Sequence, residues 1–126
     1  MKKKVFEYIS EQYGVEPDYP WDNFSDYAVF RHRENQKWFA LVMRVGFDKL
    51  GINKEGSVDV VNLRIADAIL HDELIHETGI FPSYHMNKRY WITVLLDGTV
   101  PREQVFRLID LSFDATNAKS KRSTGA

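Results

Sequence analysis

Apolar residues recur at helical spacing in three segments of the chain, and this spacing predicts three α-helices. The segments are residues 2–13, residues 65–78 and the stretch that follows Pro101. Gly14 ends the first helix, and Gly79 stands where the left-handed residue after the second helix is expected. Each helix should present one apolar face to the rest of the protein. The residues expected on these faces are Val5, Phe6, Ile9 and Tyr13, then Ile65, Ala68, Ile69, Leu74 and Ile75, then Val105, Leu108, Ile109, Leu111, Ser112 and Phe113.

Runs of β-branched and aromatic residues elsewhere in the chain predict five strands. The first three strands are expected at residues 27–32, 37–45 and 57–64. The second of these is apolar on both faces, which is typical of a central strand. The last two strands form a predicted hairpin within residues 80–96. Its tight polar turn is Asn87-Lys88-Arg89, and Asn tolerates the positive φ that such a turn uses.

The predicted order is α-β-β-β-α-β-β-α, which belongs to the α+β class. An antiparallel meander with a helix at each end favours a two-layer sandwich, in which the terminal helices pack on one face of the sheet. The residues expected to be mostly buried in this sandwich are Trp38, Leu41, Ile92 and Val94.

The chain length of 126 residues fits one domain with a real core. We expect that domain to cover residues 1–116, and the small and basic residues 117–126 to form a frayed tail. The formal net charge of −1 provides no global field that would draw the protein to nucleic acid or to a membrane. Any attraction to DNA must therefore be local.

The absence of cysteine excludes disulfides, thiolate nucleophiles and cysteine metal sites. The chain opens with Lys2-Lys3-Lys4, but Glu7 and Glu11 interrupt the apolar run that a signal peptide would need. No apolar run approaches the ~20 residues that span a bilayer. A cytoplasmic location without a membrane partner is the expectation.

Polar side chains with catalytic or metal-binding chemistry are present, but their spacing is incomplete. Asp72 and His76 stand four residues apart on the second helix, and ligands from one helix make only part of a metal site. Ser83 and His85 lie two residues apart, too far for a nucleophile and its base. No phosphate-binding glycine motif or zinc protease motif occurs. We therefore expect no catalytic centre, no metal and no cofactor.

Basic residues gather near the two predicted hairpin connections. They are Arg31, Arg33 and Lys37 at the first connection, and Lys88 and Arg89 at the last. Basic hairpins beside aromatic residues can lie on a phosphate backbone, which would make duplex DNA the partner. The alternative is that these tips are polar because they are exposed to water, and Glu34 offsets part of the first cluster.

The last hairpin also concentrates polar and aromatic groups. We predict that Tyr84, His85, Asn87, Lys88 and Trp91 border one cleft or exposed patch. The competing interpretation is an ordinary hairpin whose aromatic residues fill the core, with both His85 and Trp91 buried. Accessible surface areas distinguish the two interpretations.

Several blocks of the sequence together resemble the MmcQ/YjbR family. The blocks are Pro20-Trp21-Asp22, Phe30-Arg31 with Lys37-Trp38-Phe39-Ala40-Leu41, Asn62-Leu63-Arg64, Tyr84-His85-Met86-Asn87-Lys88 with Trp91-Ile92-Thr93-Val94, and Val100-Pro101 with Leu108-Ile109-Asp110-Leu111-Ser112-Phe113. The match runs from the first helix to about residue 116. This chain departs from the family pattern at Ser83, Tyr90 and Ile65-Ala66, where Gly, His and a Cys-containing segment are common.

The resemblance implies a compact fold like that of CyaY, the bacterial frataxin, and a "double wing" DNA-binding function. It does not extend to iron binding, because the first helix has only Glu7 and Glu11 and opens with three lysines. The sequence therefore leaves two alternative functions open. One is weak, backbone-directed DNA binding through the basic hairpins. The other is a small non-enzymatic ligand- or protein-interaction module without affinity for DNA.

Overall fold

A five-stranded antiparallel sheet carries three α-helices on one face in the computed structural model, which describes residues 1–23 and 26–117. The elements are α1 (Lys2–Tyr13), β1 (Ala28–Arg31), β2 (Trp38–Gly46), a 3-10 turn (Phe47–Leu50), β3 (Ser57–Arg64), α2 (Ala68–Leu74), β4 (Ile80–Pro82), β5 (Trp91–Leu95) and α3 (Arg102–Thr116). The α+β class and the predicted element order are confirmed. Apart from Asn117, the predicted tail lies outside the described residues. Within those ranges, no helix combines the length and the apolar character needed to cross a membrane.

The strands lie in the order β1-β2-β3-β5-β4, so β5 is inserted between β3 and β4. Every neighbouring pair is antiparallel. This order differs from the simple meander that we expected, in which β4 would lie next to β3. Because α2 returns the chain along the sheet, β4 runs in the same direction as β3. As a result, β1, β3 and β4 finish at the same end of the sheet at which β2 and β5 begin.

The terminal helices pack together on one face of the sheet, as predicted. Val5 and Ile9 of α1 join Val105 and Ile109 of α3 in one buried cluster, and all four are fully buried. Aromatic rings connect the two helices. Tyr8 stacks on Phe106 with 4.1 Å between ring centroids, and Tyr13 stacks on Phe113 with 3.9 Å. Leu111 does not broaden this face, because it is 39% exposed.

The carboxylate of Asp110 joins the two helices with hydrogen bonds. The hydroxyl of Tyr8 donates to Asp110 Oδ1 at 2.8 Å, and the hydroxyl of Tyr13 donates to the same oxygen. Burial first, and then this hydrogen bond, raise the pKa of Tyr8 to about 12. The same two causes raise the pKa of Tyr13 still further. Both phenols therefore remain neutral donors over the physiological pH range.

The opposite face of the sheet, which we call the loop face, is covered by loops and the 3-10 turn. Its buried residues are Val29, Leu41, Met43, Val45, Phe47, Val58, Val60 and Leu95. Its partly buried residues include Trp21, Tyr27, Trp38 and Met86. The side chains of β3 alternate between the two faces, with Val58 and Val60 on the loop face and Val61 and Leu63 on the helix face.

A β-bulge near the start of β2 changes the direction of one aromatic side chain. Phe30 pairs with Ala40, but the next residue, Arg31, pairs with Trp38, so Phe39 is an extra residue on β2. Strict alternation from Ala40 would place Trp38 on the helix face. With the bulge, Phe39 joins the core of the helix face and Trp38 packs on the loop face.

Ser112 of α3 supplies the hydrogen bond that the bulge would otherwise lack. Its hydroxyl donates to the carbonyl oxygen of Phe39 at 2.6 Å and accepts a hydrogen bond from the amide of Arg64 at 2.8 Å. Buried carbonyl groups need such partners, and a bulge interrupts the regular ladder of backbone bonds. One fully buried serine therefore connects α3, the bulge and the last residue of β3.

The second helix is shorter than residues 65–78, and its predicted buried face is wrong at Ala68 and Ile69, which are both exposed. Asp67 is the N-cap, because its Oδ1 accepts hydrogen bonds from the amides of Ile69 at 2.9 Å and Leu70 at 3.2 Å. This cap begins the helix at Ala68 and turns Ile69 to solvent, where it is 73% exposed. Leu74 joins the core as predicted, and Leu70 packs against that core.

Gly79 is not the residue that ends α2. The helix stops at Leu74, and Ile75 caps it in the right-handed conformation. Gly79 has φ +89°, and a Cβ atom there would lie 2.8 Å from Cγ2 of Val100. A glycine is therefore required by a left-handed backbone and by the close approach of the segment before α3.

The connection between β4 and β5 is longer than the predicted tight turn. β4 ends at Pro82 and β5 begins at Trp91, so residues 83–90 lie outside the ladder. Asn87 does not adopt a positive φ. Its carbonyl oxygen instead accepts hydrogen bonds from the amides of Tyr90 at 3.2 Å and Trp91 at 2.9 Å. Ser83 is buried whereas Asn87 is exposed, so the two side chains do not lie in a common environment.

Candidate nucleic-acid interface and aromatic cleft

Basic residues gather at the end of the sheet where β1, β3 and β4 finish. Residues 32–37 join β1 to β2 there, residues 83–90 join β4 to β5 there, and β3 ends between them at Arg64. We call this surface the basic end. Its cationic residues are Arg31, Arg33, Lys37, Arg64, Lys88 and Arg89. The topology thus brings all five sequence-predicted cations to one end and adds Arg64, which the sequence analysis did not identify as a candidate.

The two arginines of the first connection are partly engaged within the protein. Arg31 forms an ion pair with Asp18, with 3.1 Å between Nη2 and Oδ2, and its guanidinium lies 5.6 Å from the centroid of the Trp38 ring. Arg33 donates from Nη2 to the carbonyl oxygen of Gly14 at 2.6 Å, at the carboxyl end of α1. A cation is favourable there because it opposes the negative end of the helix dipole.

Local hydrogen bonds fix the shape of this first connection. The amide of His32 donates to the carbonyl of Lys37 at 2.9 Å, and Gln36 supplies the turn with φ +62°. The ring of His32 is buried, with Nε2 2.7 Å from Oγ1 of Thr116. Burial lowers the pKa of His32. This histidine therefore joins the connection to α3 as a neutral ring.

The second connection carries cations that extend into solvent. Lys88 is exposed, and its Nζ donates to the carbonyl of Ser83 at 2.9 Å. Arg89 is exposed, and its amide donates to Oδ1 of Asn87 at 2.9 Å. The guanidinium of Arg64 lies 4.9 Å from the centroid of the Tyr90 ring. These contacts position the ammonium of Lys88, the backbone of Arg89 and the guanidinium of Arg64 at the basic end.

A buried polar network attaches the second connection to the middle of the sheet. Oδ1 of Asn62 accepts hydrogen bonds from the hydroxyls of Ser83 at 2.9 Å and Thr93 at 2.6 Å. The two hydroxyls then accept from the amides of Met86 at 3.1 Å and Tyr84 at 3.2 Å. Sequence reasoning missed this network, although a polar Asn62 within an apolar strand was a visible signal. The network fixes the path of residues 83–86.

Two clefts open beside these residues. The first has a volume of about 390 Å³ and contains cationic and aromatic side chains. Its lining residues are Lys37, Trp38, Arg64, Met86, Trp91, Ala115 and Thr116. The second has a volume of about 310 Å³ and is mainly aromatic and apolar. Its lining residues are Trp21, Tyr27, Trp38, Leu41, His85 and Met86. Both volumes lie in the range of small-molecule sites, and Trp38 and Met86 line both clefts.

Aromatic edges organise the second cleft. Trp21 meets Trp38 at a centroid distance of 5.5 Å and meets Tyr27 at 6.0 Å, in both cases nearly perpendicular. His85 lies 5.8 Å from Tyr27 and 4.6 Å from Tyr84. Desolvation in this aromatic surrounding lowers the pKa of His85, so the ring is neutral at pH 7.

The predicted cleft residues are divided between the clefts and their surroundings. His85 lines the second cleft and retains exposed surface, whereas Trp91 lines the first and is only 7% exposed. Tyr84 contacts the ring of His85 from the side, and Asn87 is exposed on the connection. The competing interpretation expected both His85 and Trp91 to be buried. It is correct for Trp91 and wrong for His85, which is exposed.

The residues considered for metal binding are arranged differently from an i, i+4 helical pair. His76 lies beyond the end of α2, and its Nδ1 contacts the backbone carbonyl of Asp72 at 2.7 Å. Across residues 1–23 and 26–117, no three His, Asp or Glu side chains are grouped to hold a metal ion.

Comparison with solved structures identifies close relatives in fold. A protein from Pseudomonas syringae, solved by crystallography, is 43% identical, covers 93% of this chain and 99% of its own, and superposes with a TM-score of 0.90. A solution NMR structure from the same organism gives 43% identity and a TM-score of 0.84, with 93% of each chain covered. A Deinococcus radiodurans protein, 23% identical, shares the fold with a TM-score of 0.69 over 99% of this chain and 88% of its own.

Comparison of sequences also finds similar proteins. The uncharacterized protein YyaQ of Bacillus subtilis (strain 168) is 39% identical over 115 residues, which cover 91% of this chain and 97% of that protein. The uncharacterized protein YjbR of Escherichia coli (strain K12) is 50% identical over 36 residues, or 29% of this chain and 30% of that protein. The sequence model of the YjbR family matches residues 10–115. The chain therefore belongs to the YjbR family.

Proposed function

We propose that this protein binds the phosphate backbone of DNA through the basic end and has no catalytic activity. The observation that carries the proposal is the strand order. With β5 between β3 and β4, the connections 32–37 and 83–90 occur at the same end of the sheet, on either side of Arg64. Glu34 is the one carboxylate in the sequence of these segments, so the local charge is positive. Two basic hairpins at one end provide two neighbouring points of contact with a phosphate backbone.

The net charge determines how strongly the proposed DNA binding depends on salt and how tight it can be. Because the whole chain has a formal net charge of −1, attraction depends on the basic end alone and is screened within about 8 Å at physiological salt. Contacts to phosphates carry no information about the base sequence of the DNA. Binding should therefore be nearly independent of sequence, strongly dependent on salt, and weak, with Kd of roughly 10⁻⁴ to 10⁻⁶ M at physiological salt.

A salt titration of fluorescent duplex DNA tests the proposal. Wild type is compared with Lys88→Ala/Arg89→Ala, which removes two exposed charges from the second connection. Each phosphate contact that is lost should weaken binding and flatten the plot of log K against log salt by about one unit. The double variant is therefore expected to have a slope about two units smaller.

The matched control is Lys49→Ala/Lys54→Ala. These exposed lysines lie between β2 and β3, at the opposite end of the sheet. The eight residues of β3 separate the two ends by about 26 Å, well beyond the screening length. This control should keep the wild-type slope. An unchanged slope in Lys88→Ala/Arg89→Ala would refute the assignment to the second connection.

A small-ligand or protein-interaction module without affinity for DNA is the second candidate. The two clefts favour it, since their volumes and aromatic walls suit a small molecule. Absence of DNA binding by wild type at low salt, where phosphate contacts are strongest, would reject the first proposal and support this one.

A further inference from the structure

The two clefts differ in chemistry but share a wall. The first carries the cations Lys37 and Arg64, and the second is lined by aromatic rings. Trp38 and Met86 belong to both. A ligand that reaches from one cleft to the other therefore meets positive charge at one end and flat apolar surface at the other. A nucleotide has this distribution, with an anionic phosphate and a planar base.

We infer that the two neighbouring clefts together bind an unpaired nucleotide of a DNA strand, with the base in the aromatic cleft and its phosphate beside Lys37 and Arg64 on the other side of the shared wall. This inference rests on the proposed function, because it adds recognition of a base to contacts with the backbone. It means that single strands, or the frayed ends of duplexes, bind better than an intact duplex.

The requirement for an unpaired base follows from the form of the aromatic cleft. Trp21, Tyr27 and His85 enclose a concave space instead of presenting a flat ridge. Within a duplex, both faces of a base are covered by its neighbours, so the base must leave the stack to enter such a space. Aromatic side chains bind unpaired bases with little sequence preference, since every base has a flat face.

Electrostatic features of the clefts agree with this ligand. The neutral ring of His85 places no positive charge beside the base and offers one hydrogen-bond donor and one acceptor. Arg64 is oriented by its contact with the Tyr90 ring, and its amide is held by Ser112. The phosphate side of the site is thus built on the end of β3 and on Lys37 of the first connection, while the base side is built on the segment before β1, on β2 and on the second connection.

Tryptophan fluorescence gives a direct measurement, because all three tryptophans line the clefts. Trp21 lies in the aromatic cleft, Trp91 in the cationic cleft and Trp38 in both. Wild type is titrated at low salt with a short oligothymidylate, with a deoxyribose-phosphate strand of the same length that has no bases, and with a blunt duplex. We expect oligothymidylate to quench the fluorescence and to bind at least about fivefold tighter than the abasic strand.

Two variants and one control test the assignment to the aromatic cleft. Trp21→Ala removes a wall of the cleft, and His85→Ala removes an exposed side chain with little risk to folding. Each should reduce the preference for bases by about fivefold or more while keeping the affinity for the abasic strand. Tyr19→Ala, at an exposed position of the same loop as Trp21, should behave as wild type.

The possible results distinguish a failure of this inference from a failure of the proposed function. If oligothymidylate, abasic strand and duplex bind equally and the cleft variants change nothing, the inference is wrong and backbone binding stands. If no strand binds even at low salt, both are wrong. A preference for bases that survives both Trp21→Ala and His85→Ala would place the base elsewhere and would overturn the inference.

Discussion

Asn62 connects the candidate site to the sheet through a single amide group. It is fully buried, and its oxygen accepts from Ser83 and Thr93 while its Nδ2 donates to the carbonyl of Leu41 at 3.2 Å. The position of Asn62 within β3 was predictable from the alternation of that strand. Its partners were not, because they lie 21 and 31 residues away and meet only after β5 has been inserted beside β3.

Replacing Asn62 with Leu keeps the branched outline of the side chain but removes the amide group to which Ser83, Thr93 and the carbonyl of Leu41 are bonded. We expect the free energy of unfolding to fall by about 1–3 kcal/mol, because buried hydrogen-bonding groups are left unsatisfied. Urea denaturation measures this loss. Amide hydrogen exchange at Tyr84 and Met86 should accelerate as well, since both amides depend on the network. Asn53→Leu, at an exposed position, is the control, and equal effects of the two substitutions would contradict the role of the network.

Local patterns predicted some elements closely and others poorly, for physical reasons. The apolar spacing of α1 and the alternation of β3 gave the observed bounds, Lys2–Tyr13 and Ser57–Arg64. The bounds of α2 were wrong because the side chain of Asp67 decides where that helix begins. The predicted turn at Asn87 was too short because Pro82 is the last paired residue of its strand. Hydrophobic periodicity reports neither the side-chain cap that begins a helix nor the pairing that ends a strand.

The contact between α1 and α3 predicts a particular dependence of stability on pH. The pKa of Tyr8 is raised from 10.0 to about 12 in the folded protein, and that of Tyr13 is raised further. Their contribution to stability is therefore fully present below about pH 10 and is lost as the pH rises towards 12 and beyond. Urea denaturation between about pH 8 and 11.5 should show a falling free energy of unfolding over the upper part of this range.

Tyr8→Phe/Tyr13→Phe tests the origin of that loss. The rings can still stack on Phe106 and Phe113, but the hydroxyls that bond Asp110 are gone. We expect lower stability at pH 8 and a clearly smaller decrease above pH 10. Tyr19→Phe, at an exposed site, should follow wild type. An unchanged decrease in the double variant would assign the effect to other groups.

The arrangement of the whole molecule was only partly predictable. The sequence indicated the class, the order of elements and the common face of the terminal helices. It did not indicate that β5 lies between β3 and β4, and a simple meander would have put residues 83–90 at the end opposite residues 32–37. Both predicted groups of basic residues were therefore identified, but their proximity depends on strand order, which local sequence does not encode.

At the same scale, we predict that the protein binds no structural zinc or iron. Cysteine is absent, and His76 contacts the backbone of Asp72 instead of sharing a ligand position with its carboxylate. Elemental analysis after dialysis is expected to find well under one metal ion per chain. Stoichiometric metal that is lost in His76→Ala would contradict this prediction.

The bulge at Phe39 also has a consequence for how the sheet assembles. If β1 slipped by one residue against β2, every side chain of β1 would exchange one face of the sheet for the other. The hydrogen bond from Ser112 to the Phe39 carbonyl holds the extra residue at one place on β2, and the observed pairing of β1 fits around a bulge at that place. The bulge thus protects the short strand β1 against misregistered pairing, and the same device determines on which side of the sheet Trp38 is found.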